Sequence, residues 1–238
     1  MTGTLLNVAT ILIGGVLGLL LGRRLPERLR QTVVIGLGLF TMAYGVSMFL
    51  KNHNPLISLG SILVGAILGE WWQIEQGLRR FGAWMEKKVQ GSASGDESKE
   101  RFIRGFLTSS LVFVVGPMAI LGSIQDGLTG DFSLLAIKSI LDGFGALAFA
   151  SSLGIGVLFS VIPTLIYQGA ISLLALQVQT VATTVVMDEM SAVGGIILLG
   201  IALGSLLEIK IIRAANFIPA LILSPLITIF LSYFGWIK

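Results

Sequence analysis

Residues 5–24 read LLNVATILIGGVLGLLLGRR, and this stretch decides the kind of fold the chain adopts. Leu5–Leu21 carries no charge and is just long enough to cross a hydrocarbon layer, which takes roughly 17–25 apolar residues. Arg23 and Arg24 follow it and no basic residue precedes it. A cleaved signal peptide has the opposite order, so a retained span with its N-terminus outside is expected. The rest of the chain has the same character. Apolar residues make up 54% and charged residues 12%, about half the roughly 25% charge of a soluble domain. With mean hydropathy of +0.91, there is too little charge to cover a soluble globule. The chain has no cysteine, which removes disulfides, thiolate nucleophiles and Cys-bound metals.

Outward from this first run, apolar segments recur at Val33–Leu50, Leu56–Trp72, Phe106–Ile124, Phe132–Ala150, Gly154–Val178, Ala192–Ile209 and Phe217–Ile237. An all-α, polytopic transmembrane bundle of about eight spans is therefore expected. Basic residues cluster at 23–30, 79–104 and 210–213, which eight crossings place on one side, the cytoplasmic side by the positive-inside rule. The segments holding Asp126, Asp131, Asp188 and Glu189 contain no Lys or Arg and fall outside. A pI near 9.4 is thereby read as a topology signal, with no nucleic-acid partner. Phe132–Ala150 contains Lys138 and Asp142, so it reads either as a full crossing, which the charge pattern favours, or as a broken or re-entrant helix.

The one extended polar segment begins with Ile74, Leu78, Phe81, Met85 and Val89 at helical spacing. It reads as an interfacial helix or as a continuation of the third span. QGSASGDESK, residues 90–99, has the composition of a linker. The expected division is a first bundle over 1–89 (three spans plus the interfacial helix), a linker over 90–103 and a second bundle over 104–238. Gly60–Ile74 and Gly195–Ile209 match at seven of fifteen positions, hinting at two four-helix repeats. Glycines four apart (14, 18, 22; 65, 69; 200, 204) mark helix faces for close packing, within the chain or across a homo-oligomer.

Catalytic chemistry is sparse. The single histidine, His53, sits in a polar turn and reads as solvated; an HExxH zinc site and Ser-His or Cys-His chemistry are excluded as sole mechanisms. An enzyme is not expected, nor a cofactor. What stands out is a repeated S-I-x-D-G, at Ser123–Gly127 and again at Ser139–Gly143. Glycine after aspartate permits a helix break that frees carbonyls beside a carboxylate, an arrangement that can hold a cation. Lys138 lies four residues before Asp142, on the same helical face. Ionisable groups inside a span cost roughly 2.5–3.5 kcal/mol each on insertion scales, so they stand as functional candidates beside the structural reading of a pinning ion pair. Asp126, Lys138 and Asp142, with Gln125 and Gln168, form the candidate ion or solute site, and Asn7, Tyr167, Ser151 and Ser152 are candidate neutral ligands.

Val115–Gly127 (VGPMAILGSIQDG), Lys138–Gly143 (KSILDG), Leu153–Val157 (LGIGV), Tyr167–Gly169 (YQG) and the opening TGTLLNVATILIGGVLG carry a resemblance. Across the whole chain the sequence resembles the YdfK/YqgA-like family of bacterial inner-membrane proteins, a family of unknown function. The resemblance implies a multi-pass bacterial inner-membrane protein and supplies no catalytic residues. The residues themselves suggest a transporter or channel for a small cation or proton-coupled solute. The alternative is a non-transporting scaffold or sensor whose basic interfacial helix meets lipid or a cytoplasmic partner.

Overall fold

The computed structural model describes residues 1–22, 24–90 and 95–234. Arg23, linker residues 91–94 and the end of the last expected span lie outside the described residues. Among the described residues the apolar runs become helix over most of their length, because a helix satisfies its backbone internally where no water can. In order these are α1 (Thr2–Gly22), α2 (Glu27–Phe49), α3 (Pro55–Trp72), α4 (Ile74–Gln90), α5 (Asp96–Val114), α6 (Pro117–Thr129) and α7 (Ser133–Leu153). After a 3₁₀ turn at Ile155–Ser160 come α8 (Val161–Leu173), α9 (Ala175–Gln179) and α10 (Thr184–Ile201). A π-turn (Ala202–Leu206) and a 3₁₀ turn (Ala214–Phe217) lead to α11 (Ile218–Tyr233). No strand forms among the described residues.

Local chemistry sets the ends. Asn54 accepts a hydrogen bond from Leu56 N (3.0 Å) and Pro55 opens α3 at the position where a missing N–H does no harm. Gly130 (φ 73°) and Gly154 (φ 84°) close α6 and α7 in a backbone conformation that disfavours a Cβ.

Seven helical stretches among the described residues are long and apolar enough to cross a membrane. The fourth expected span, Phe106–Ile124, is the exception: α5 and α6 meet at 61° and form a broken span if they count as one. Conversely Phe132–Ala150, the segment with two readings, lies in one unbroken helix. Large apolar side chains cover the exterior while Thr4, Asn7, Thr164 and Gln168 are wholly buried. This distribution, apolar outside and polar within, suits lipid as the surrounding solvent.

Packing divides the chain differently from the expected 1–89 and 104–238. One unit comprises Met1–Leu37, Gln76–Val114 and Met118–Ala175; the other comprises Gly38–Glu75, Val115–Pro117 and the chain from Leu176. Both draw on each sequence half. From Asp96 onward the expected linker is helical.

In the first unit α1 lies parallel to α7. A Cβ on Gly14 would fall 2.0 Å from Gly143 O, on Gly18 2.2 Å from Leu147 O, and on Gly22 2.4 Å from Ser151 O. Three successive turns therefore make backbone-to-backbone contact. α4 separates from α3 at Gln73, whose backbone is left-handed (φ 53°), so the third span does not simply continue. Met85 of α4 is buried with Phe102, Ile103, Phe106 and Leu107, and Leu78 packs beside them. Phe81, Trp84 and Val89 remain exposed, with Lys88 Nζ 4.9 Å from the Trp84 ring centre.

In the second unit α3 and α11 run antiparallel. Gly69 meets Asn216 O and Gly65 meets Ala220, where added Cβ atoms would lie 1.9 and 2.6 Å away. Gly200 and Gly204 face Ile212. The glycine faces expected to serve either packing or oligomerisation are thus packed against the chain itself.

Candidate functional site

A proline sets up the polar centre of the first unit. Pro117 has no N–H, so the carbonyl four residues earlier, on Phe113, loses its helical donor. Lys138 Nζ donates to Phe113 O at 2.8 Å and also to the Asp142 carboxylate, one turn along α7. From α1, Asn7 Nδ2 donates to Asp142 Oδ2 (2.9 Å) and approaches Gln168 Oε1 of α8 at 3.3 Å. The glycine face of α1 makes this reach possible, since its axis lies against the backbone of α7. Lys138 and Asp142 side chains are only 6% and 10% exposed. The pair is neutral as a unit and each charge is hydrogen-bonded again, which is what a low-dielectric interior demands.

Not every polar group there is satisfied. Asn7 Oδ1 and Gln168 Nε2, one acceptor and one donor, are buried without a protein partner, as are Thr4 Oγ1 and Thr164 Oγ1. Thr4 lies three residues before Asn7, and Thr164 four before Gln168, so each pair shares a helix face. The centre can hold one positive charge between a carboxylate and a free carbonyl, and offers amide and hydroxyl groups to a small polar guest.

Asp126 lies one turn back along α1, toward its N-terminus. It is buried in α6 and its Oδ2 accepts from Gly3 N (3.1 Å), with the Met1 nitrogen at the same distance. It thus lies at the α1 N-terminus, where the helix dipole favours negative charge, and was expected in an outer loop. Its Oδ1 has no protein partner. Gln125 does not join the cluster; it donates to Asp131 Oδ2 at 2.7 Å on the surface. Asp131 also accepts from Ser133 Oγ (2.6 Å) and Ser133 N (3.0 Å), and these bonds hold its carboxyl below the usual carboxylate range. Ser151 and Ser152 are near the far end of α7, roughly 13 Å from Asp142 by helical rise. Tyr167 is half-buried in α8.

The helix breaks expected after Asp126 and Asp142 do not form. Gly143 lies inside α7 and Gly127 inside α6. Both serve close approach: Gly143 lies against α1, and a Cβ on Gly127 would fall 2.2 Å from Ser172 O. The freed carbonyl comes instead from Phe113. The signal for it, a proline four residues downstream, is present in the sequence; the lysine that takes it is chosen by the fold.

The second unit holds a carboxylate that sequence reasoning put in an outer loop. Glu189 is fully buried in α10 and accepts from His53 N (2.8 Å), Asn54 N (2.6 Å) and Ser58 Oγ (3.4 Å), at the start of α3. Successive helical residues point about 100° apart, and here Glu189 faces the buried side of α10 while Asp188 stays part-exposed. His53 is part-exposed with Nε2 3.0 Å from Asp188 Oδ2. No three His, Asp or Glu side chains converge as a metal site among the described residues.

Comparison with known proteins agrees with this architecture and adds no activity. The chain is 35% identical to "Uncharacterized protein YqgA" of Escherichia coli (strain K12), over 98% of this chain and 99% of that protein. It is 26% identical to "Uncharacterized membrane protein YdfK" of Bacillus subtilis (strain 168), over 99% of each. No solved structure matches. A family model described as "Protein of unknown function (DUF554)" matches residues 2–229. By that match, and by its likeness to YqgA along both full lengths, the chain belongs to the DUF554 family of membrane proteins.

Proposed function

We propose that the protein moves a small cation, or a solute coupled to protons, across the bacterial inner membrane, and that it is not an enzyme. The observation carrying this reading is the buried Lys138–Asp142 pair beside two amides, each with an unpartnered polar atom. In it the lysine ammonium acts as a tethered cation that holds the carboxylate until a mobile cation or proton competes for it. The test is flux in proteoliposomes under cation and pH gradients. Wild type is expected to give a signal, and the double variant Lys138→Met/Asp142→Asn, neutral like the original pair, is expected to fold and give none. Equal flux from both would sink the reading.

The same reading sets eight crossings with both termini outside. The parallel run of α1 and α7 supports it, because an odd number of crossings must separate them, and α2, α3 and the bent α5–α6 pair supply three. A cysteine at Asn52 is then expected to react with an impermeant maleimide in intact cells, and one at Lys99 only after permeabilisation. The reverse pattern would overturn the orientation. A membrane scaffold remains the second reading. It is favoured by the closure of the Lys138–Asp142 pair against solvent and by the exposed Trp84–Lys88 face of α4.

A further inference from the structure

At the other end of α1, away from Asn7, the first unit contains a cavity of about 220 Å³. That is several times the roughly 30 Å³ occupied by one water and below the usual size of a drug-like pocket. Leu19, Gly22, Ala150, Leu153 and Ile155 form its apolar side. Arg30, Arg101, Ser98 and Ser151 form its polar side, and among the described residues no carboxylate lines it. Two guanidiniums therefore face a space large enough for a small oxyanion.

Both arginines are held by helix ends. Arg30 Nη2 donates to Gly22 O at 3.1 Å, and Arg101 donates to Ser152 O through Nε (3.2 Å) and Nη2 (2.7 Å). These carbonyls end α1 and α7, where a cation is favoured by the dipole. Capping alone does not account for the site, because a guanidinium has five N–H donors and Arg30 Nε is buried with no partner. Glu27, paired with Arg30 at 3.0 Å, and Glu97 offset part of the charge without entering the lining.

We infer that this cavity binds a phosphate group through Arg30 and Arg101. Planar guanidiniums match phosphate oxygens in a way that a lysine does not, and the apolar wall beside them suits a phosphate attached to a hydrocarbon chain. The shared chemistry fits either inorganic phosphate or a lipid phosphate headgroup. The inference does not depend on transport by the Lys138–Asp142 centre.

The test uses the purified full chain in an uncharged detergent. Its melting temperature is followed while sodium phosphate is titrated against sodium chloride at matched ionic strength, and separately with short-chain phosphatidic acid. At a hundredfold excess over the dissociation constant a rise of roughly 5–10 °C is expected. A rise with inorganic phosphate identifies a free-anion site; a rise with phosphatidic acid only identifies a headgroup site. Arg30→Lys and Arg101→Lys are expected to weaken the response roughly tenfold or more in ligand concentration. Ser98→Trp is the decisive variant, since it fills the cavity from an exposed lining position and leaves both guanidiniums in place; measured against its own ligand-free melting temperature, it should abolish the rise. No rise with either ligand, or a rise unchanged in Ser98→Trp, would overturn the inference.

Discussion

Gly14→Ala and Gly18→Ala are each expected to destabilise the protein by about 3 kcal/mol or more, although each adds a single methyl group. The added carbon would lie 2.0 Å from Gly143 O or 2.2 Å from Leu147 O. Both obstacles are backbone, so no rotamer change relieves the clash and α1 must move off α7. That movement also withdraws Asn7 from Asp142, so loss of the polar centre should accompany loss of stability. Gly36 and Gly60 have nothing within 4 Å of the same added carbon. Alanine there should be neutral, or stabilising by up to about 1 kcal/mol through helix propensity. Thermal melting of the four variants in detergent checks the contrast. Equal effects in all four would mean that the α1–α7 seam is not packed as described.

A second large effect is expected at the embedded pair. Removing one charge leaves the other buried and costs about 3–5 kcal/mol, whereas removing both leaves nothing to compensate. Lys138→Met strips the Asp142 carboxylate of its cation and leaves it the Asn7 amide at 2.9 Å. Asp142→Asn leaves the ammonium without a countercharge, with only neutral acceptors such as the Phe113 carbonyl at 2.8 Å. Each single variant should therefore melt well below wild type, and Lys138→Met/Asp142→Asn should recover most of the difference. Melting curves of the three variants decide this. If the two losses simply add in the double variant, the residues do not act as a pair.

Much of this was legible in the sequence because it follows from one-dimensional quantities. The length of an apolar run decides whether a helix can cross lipid, and the position of arginines after that run sets an expected orientation. Glycines four apart mark a face that backbone can approach, whatever that backbone turns out to be. The i,i+4 spacing of Lys138 and Asp142 puts them together on any helix. Tertiary structure decided which surfaces meet. Nothing in the glycine spacing of α1 names α7 as its partner, because many faces of similar shape compete for it. Asp126 and Glu189 lay in segments expected outside, Asp126 also as a candidate site residue, since charge between apolar runs marks the connections. They proved to be buried at the N-termini of α1 and α3, where backbone N–H groups from distant sequence hold a carboxylate. Pro117 in the sequence is a signal, seen only in retrospect, that Phe113 O lacks a donor, and only the packing of α7 against α5 brings Lys138 to it. Local covalent chemistry creates an unsatisfied group, and the fold selects which distant side chain satisfies it.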